Sequence, residues 1–191
     1  QWLADAIVGF DLTPENARDA ISRANESEES RAFATIVKNR VNRGGILAEG
    51  ASFIKYGENG KGIRSRWYPE TLKKRTLEIS KVRHKIRFIE GDGFEVCRQN
   101  AHRENAVFFI DPPYIKASRR LYRYSEIDHE ALFDLAAKLQ GDFLMTYDNV
   151  QEVREMAFSR NFCVKEIPMK TTHHNRKTEL LISTSLDWFN E

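Results

Sequence analysis

The sequence predicts an α/β fold with an irregular basic segment inserted ahead of its strands. Three observations carry this. The first third reads as capped helices. A glycine-rich, basic stretch follows. From residue 86 onward, short apolar runs alternate with helical periods, the pattern of a parallel sheet flanked by helices. The 191 residues suffice for a domain with a sizeable core, and 41% apolar with 30% charged residues is an ordinary globular balance. No apolar run reaches the roughly 20 residues of a membrane span, and the opening "QWLADAIVGF" has no signal-peptide character. The two cysteines, Cys97 and Cys163, are isolated. That fits a reducing cytoplasm and excludes a cysteine-based zinc site.

The elements follow in order. Thr13 caps a helix that Pro14 and Glu15 open and that runs to about Arg23. A second helix spans "SEESRAFATIVKNRV", with Phe33, Ile36 and Val37 at helical spacing. Residues 42–67 show neither helical nor strand periodicity and hold six of the ten glycines, so they form a long loop. Pro69 opens a helix over "YPETLKKRTLEISKVRHK", with Leu72, Leu77 and Ile79 inward. Then come a strand over "IRFIEGD", a buried strand over "AVFFIDPP", a helix capped by Asp128 and a strand over "DFLMTYD". A helix over "VQEVREMAFSR" and two strands, "FCVKEIPM" and "ELLIST", finish the chain, the last pair close enough for an antiparallel hairpin at one edge. The expected division is a helical, basic region over 1–85 and the sheet over 86–191. Three polar strand ends, Glu90–Gly93, Asp111–Tyr114 and Thr146–Asn149, should converge on one rim, where open α/β sheets bind ligands.

Charge is unevenly spread. Residues 38–87 hold fourteen Lys or Arg against four acids, while the segments on either side are each net acidic. A basic block in an acidic chain suits a polyanion, and equally a solvated helical face.

The strand end "DPPY", Asp111–Tyr114, has a chemistry of its own. Each proline lacks an N–H, has a fixed φ and extends its predecessor. Asp111 and Pro112 are therefore stiff, and they offer a carboxylate and a carbonyl as acceptors. Pro113 completes the rigid turn, and Tyr114 adds a flat face. Two acceptors beside an aromatic ring suit an exocyclic amine on a planar base. Gripping both hydrogens favours a pyramidal nitrogen whose lone pair points out of the ring plane. A base in a duplex presents its amine this way only when flipped out.

DPPY after an apolar strand resembles the amino-methyltransferases of DNA. The order "NRVNRGG", a glycine-rich basic stretch, "RWYPETL", "IRFIEGD", DPPY and a closing "THHNRKTELLIST" is similar to the Dam-like DNA adenine methyltransferases, over roughly residues 30 to 185. The resemblance implies a Rossmann-like methyltransferase sheet with a target-recognition insertion, S-adenosylmethionine as cofactor and double-stranded DNA as partner. It implies that Asp111 and Pro112 hold the target amine, with Pro113 in the same motif, and that Tyr114 stacks on the base. Asp92, Gly93, Phe94 and Asp111 would contact the cofactor. Asn39, Arg40, Asn42, Arg43, Lys61, Arg64, Arg66 and Trp67 would lie in the DNA-contacting segment. No metal is implied. The family's glycine-rich "FxGxG" turn and the acidic residue after its second strand are not found in this sequence, which reads as the C-terminal two thirds of such an enzyme. A cytosine-N4 enzyme and a DNA-binding remnant without catalysis are the rival readings. A protein-glutamine methyltransferase is disfavoured, since that class resembles NPPY. A loop over "ASRRLYRY" closing on the base and a surface position for His173 and His174 are further expectations.

Overall fold

The computed structural model describes residues 1–48, 50–115, 126–170 and 176–190, and it divides into two compact units, Gln1–Ile89 and Glu90–Glu191. The expected loop at 117–124 and the histidine pair lie outside the described residues. No described helix is long and apolar enough to cross a membrane.

The first unit is helical. α1 (Trp2–Gly9) has no side-chain cap and no signal in the sequence, yet it buries Ala4 and Ile7 fully. α2 (Pro14–Ser22) begins as its sequence predicts, with the Asn16 amide donating to Thr13 Oγ1 at 3.1 Å. α3 (Glu28–Val41) is capped by Ser27 and buries Ala34, Val37 and Val41. α4 (Pro69–Val82) starts at its proline and buries Leu72, but Ile79 is 59% exposed, so the expected inward stripe stops short of it. Leu12, Ala17, Val37, Val41 and Ile63 form a common core that Phe10, Phe33, Phe53 and Trp67 enclose.

Residues 42–67 contain short 3-10 turns at Arg43–Gly45, Glu58–Gly60 and Gly62–Arg66, with one isolated bridge, Asn42 to Phe53. The loop is ordered by its glycines. At Gly57, φ is +62° and an added Cβ would lie 2.3 Å from Ser65 Oγ and 2.5 Å from the Gly62 carbonyl oxygen. Only a residue without a side chain fits that approach.

The second unit holds the sheet. Its elements are α5 (Gly93–Asn100), β1 (Val107–Ile110), α6 (His129–Ala136), β2 (Asp142–Asp148), α7 (Gln151–Phe158), β3 (Cys163–Lys170) and β4 (Arg176–Ser183). The strand order is β1-β2-β4-β3, with β1 parallel to β2 and both β2–β4 and β3–β4 antiparallel. The expected hairpin of β3 and β4 forms, with β4 seated inside the sheet. The sheet is therefore mixed, which corrects the expectation of a parallel one.

Side chains alternate across the sheet. Phe143, Met145 and Tyr147 of β2 and Leu180 and Ile182 of β4 point to one face, where they join Leu132, Phe133 and Ala136 of α6, Val153, Met156 and Ala157 of α7, and Phe162. Phe108 and Ile110 of β1 pack on the same core. Burial of a large apolar side chain there contributes about 1.5 to 3 kcal/mol. The other face of β1 is bare: Val107 is 77% and Phe109 67% exposed. β1 was expected to be buried, and the difference is physical, because it is an edge strand with α-helical cover on one side only.

The expected strand over residues 86–92 does not form. A 3-10 turn at Arg83–Lys85 leads into residues without regular structure, and Ile86, Phe88 and Ile89 are exposed. Alternation alone makes no strand, since each needs a neighbour for its ladder, and among the described residues none pairs with this segment. Glu90–Gly93 is therefore not a strand end; Asp92 instead caps α5.

Candidate functional site

Asp111 and Thr146 meet because β1 and β2 are parallel and in register. The last ladder pair is Ile110 with Met145, so the next residues along, Asp111 and Thr146, emerge side by side. The Thr146 hydroxyl donates to Asp111 Oδ1 at 2.7 Å. Asp111 is exposed and Thr146 half-buried, while Pro112 is buried beneath them. Among the described residues Asp111 Oδ2 makes no hydrogen bond, and the carboxylate has no cationic partner.

Tyr114 is fixed from the next strand along. Its hydroxyl donates to Glu179 Oε1 at 2.9 Å, and its ring lies nearly parallel to that of Tyr147, with centroids 6.5 Å apart. Glu179 stands midway along β4, at the last β2–β4 ladder pair, opposite Asp148 of β2. Three strands thus deliver groups to one rim: Asp111 from β1, Thr146 from β2 and Glu179 from β4. Two of the three predicted polar strand ends meet there. The third place belongs to Glu179, which the sequence does not single out, because the position of β4 inside the sheet is a long-range fact.

Behind the rim, Tyr147 is fully buried and its hydroxyl shares a hydrogen bond of 2.9 Å with His129 Nδ1. Burial, then the nearby Asp148 carboxylate, pushes the Tyr147 phenol above its ordinary value. Burial lowers His129 below its ordinary value, against the opposing pull of Asp148 and Asp128. Both groups are therefore neutral near pH 7 and form a rigid support. Asp148 Oδ1 is buried with no hydrogen-bond partner among the described residues.

Asp92 is the N-cap of α5, its Oδ1 accepting from the Phe94 amide at 2.9 Å. Its Oδ2 makes no hydrogen bond among the described residues. Phe94 packs its ring against the sheet core and carries the Arg98 guanidinium 5.8 Å above it. A concavity of about 430 Å³ between α7 and β3, lined by Gln151, Arg154, Phe158 and Val164, includes none of the DPPY residues.

The basic segment of the first unit sorts into exposed and structural groups. Arg43 and Lys61 are exposed and unpaired among the described residues. Arg64 is exposed and ion-paired with Asp11 at 3.1 Å. Asn42 is only 4% exposed and its amide is committed to the Ile46 carbonyl at 2.7 Å, which corrects its expected place at a DNA surface. Trp67 likewise packs on the helical core, edge to face with Phe10. Asn39 and Arg66 converge on Gly45: the Asn39 amide donates to its carbonyl at 3.2 Å, and an added Cβ would stand 3.1 Å from both Arg66 Nη atoms. Burial, then the charges of Arg66 and Arg75, hold the Arg40 guanidinium below its ordinary value. None of these three arginines has a carboxylate within 4.0 Å among the described residues. Arg75 is missed by the sequence because it lies on α4, and only the fold brings its charge near Arg40.

No family model matches the chain, and no curated protein matches it.

Proposed function

We propose that the chain acts in methyl transfer from S-adenosylmethionine to the N6 amine of an adenine flipped out of duplex DNA. The observation that carries this reading is the DPPY strand end, where an exposed, oriented carboxylate stands beside a proline-stiffened carbonyl and a tethered tyrosine. Asp111 Oδ2 and the Pro112 carbonyl are the two acceptors for the amine hydrogens. Holding both directs the nitrogen lone pair out of the base plane, and Tyr114 sets the plane of the base. Preorganised acceptors of this kind act through orientation and electrostatics.

The carboxylates present suit the cofactor. Asp92 and Asp111 each keep one oxygen without a hydrogen bond among the described residues. Such acceptors match an adenine amine and an amino-acid ammonium. S-adenosylmethionine, when bound, supplies the methyl group; Asp92 would hold it, with Phe94 and Gly93 beside it, and Asp111, whose Oδ2 is committed to the target amine, would lie close to its amino-acid end. The cations Arg40, Arg43, Lys61, Arg66 and Arg75, none with a carboxylate within 4.0 Å among the described residues, support a phosphate-tracking role, as positioning contacts independent of sequence.

The test is Asp111→Ala. Transfer of tritiated methyl to duplex DNA should be abolished, while salt-sensitive DNA binding by filter assay is retained. Turnover close to wild type in the variant overturns the reading. Calorimetry with S-adenosylmethionine separates it from a DNA-binding remnant, which gives no heat. Oligonucleotides with adenine but no cytosine in the labelled strand separate it from a cytosine-N4 enzyme.

A further inference from the structure

The Asp111 side chain is exposed, and an exposed carboxylate ordinarily turns freely about its Cβ–Cγ bond. Here it is restrained from one direction. Thr146 is half-buried on a central strand, one residue past its last ladder pair with β1 and paired on the other side to Leu181 of β4. Being β-branched, it has few rotamers in such a ladder. Its hydroxyl meets Asp111 Oδ1 at 2.7 Å, the length of a good charge-assisted O–H···O bond. That bond fixes the plane of the carboxylate and engages the oxygen nearer β2. The oxygen left to receive a ligand is Oδ2.

An amine on a planar ring carries two hydrogens at a fixed spread. Two acceptors can take both only when their separation is fixed too. The Pro112 carbonyl is immobile, because Pro112 and the residue after it are both prolines. The Asp111 carboxylate is the mobile half of the pair, and Thr146 is what immobilises it.

We propose that Thr146 is a positioning residue that sets the site's discrimination for a primary exocyclic amine, by locking the Asp111 carboxylate in the orientation that accepts one of its two hydrogens. This rests on the amine-holding role of Asp111 given above. Thr146 does not touch the ligand. Its methyl group is dispensable and its hydroxyl is not.

The experiment uses the full chain carrying Asp92→Asn, which removes the second amine acceptor named above and keeps an oxygen to cap α5. Wild type here means Thr146 in that background. The two soluble probes, adenosine and purine riboside, differ by the exocyclic amine. Binding is followed by chemical-shift titration in NMR, whose spectrum also reports whether each variant is folded. The wild type should bind adenosine more tightly than purine riboside. Thr146→Val keeps the β-branched shape and should reduce that preference about fivefold, the loss expected of one oriented hydrogen bond, while leaving affinity for purine riboside unchanged. Thr146→Ser restores the hydroxyl and should restore the preference. Should Val disturb the strand, Thr146→Ala makes the same deletion with a smaller side chain. A folded Val or Ala variant that keeps the full preference overturns the role of Thr146 and leaves that of Asp111 standing. A wild type indifferent to the amine overturns both.

Discussion

Gly141 carries the heaviest steric demand in the second unit. It precedes β2, and a Cβ built there would lie 2.2 Å from the Ala106 carbonyl oxygen and 2.7 Å from that of Arg103. Both are backbone atoms just ahead of β1, so no side chain can swing aside. Relieving the clash requires separating the start of β1 from the start of β2 by about 1 Å, the kind of strain that costs about 1 to 3 kcal/mol in a packed site, with the upper end expected here. Gly141→Ala should therefore lose about 3 kcal/mol. With a denaturant dependence of about 2 kcal/mol per molar urea, that lowers the midpoint by about 1.5 M. Hydrogen exchange at the β1 and β2 amides, measured through a urea series, reports this unit alone. Gly93→Ala, in the same unit, is the control, because nothing lies within 4 Å of its added Cβ. A Gly141→Ala chain within about 0.5 kcal/mol of wild type would show that the two strand starts do not approach as described.

Two further outcomes test the electrostatics. His129 is held below its ordinary value in the folded chain, so the unfolded chain binds a proton first as pH falls. Its contribution to stability is present above about 6.5 and is lost as pH falls from there through the depressed folded value. Urea midpoints at pH 7.5 and 5.5 should therefore differ less in His129→Asn than in the wild type, and an equal difference would refute this account. Arg75→Gln should weaken binding to unrelated duplexes alike and reduce the slope of log affinity against log salt by about 0.9. An unchanged slope would show that Arg75 meets no phosphate.

What could be read in the sequence was local. Thr13 and Asp128 mark helix starts by cap bonds made within a turn, Pro14 and Pro69 by a preset φ, and all three helices form. α1 and α5 carry weak local signals: Gln1 makes no cap bond, and the residue after the Asp92 cap of α5 is a glycine, a poor helix former. The strand expected at 86–92 failed for the opposite reason: its alternation is clear, but pairing is a property of other residues. The DPPY turn was legible from proline chemistry alone. That Thr146 is its neighbour follows from the β1–β2 register, and that Glu179 anchors Tyr114 follows from β4 entering the sheet between β2 and β3. Neither relation is written in any short stretch of chain. Asn42 shows the reverse case, a polar residue that reads as a surface contact and is consumed as a loop staple.

The bond between Thr146 and Asp111 sits one step past a backbone ladder, not at the tip of a mobile loop. Pulling the two strand ends apart means unzipping strands whose side chains form the core of this unit. The backbone positions of Asp111 and Thr146 then persist until the unit itself unfolds, and only side-chain rotation parts the carboxylate from the hydroxyl before that.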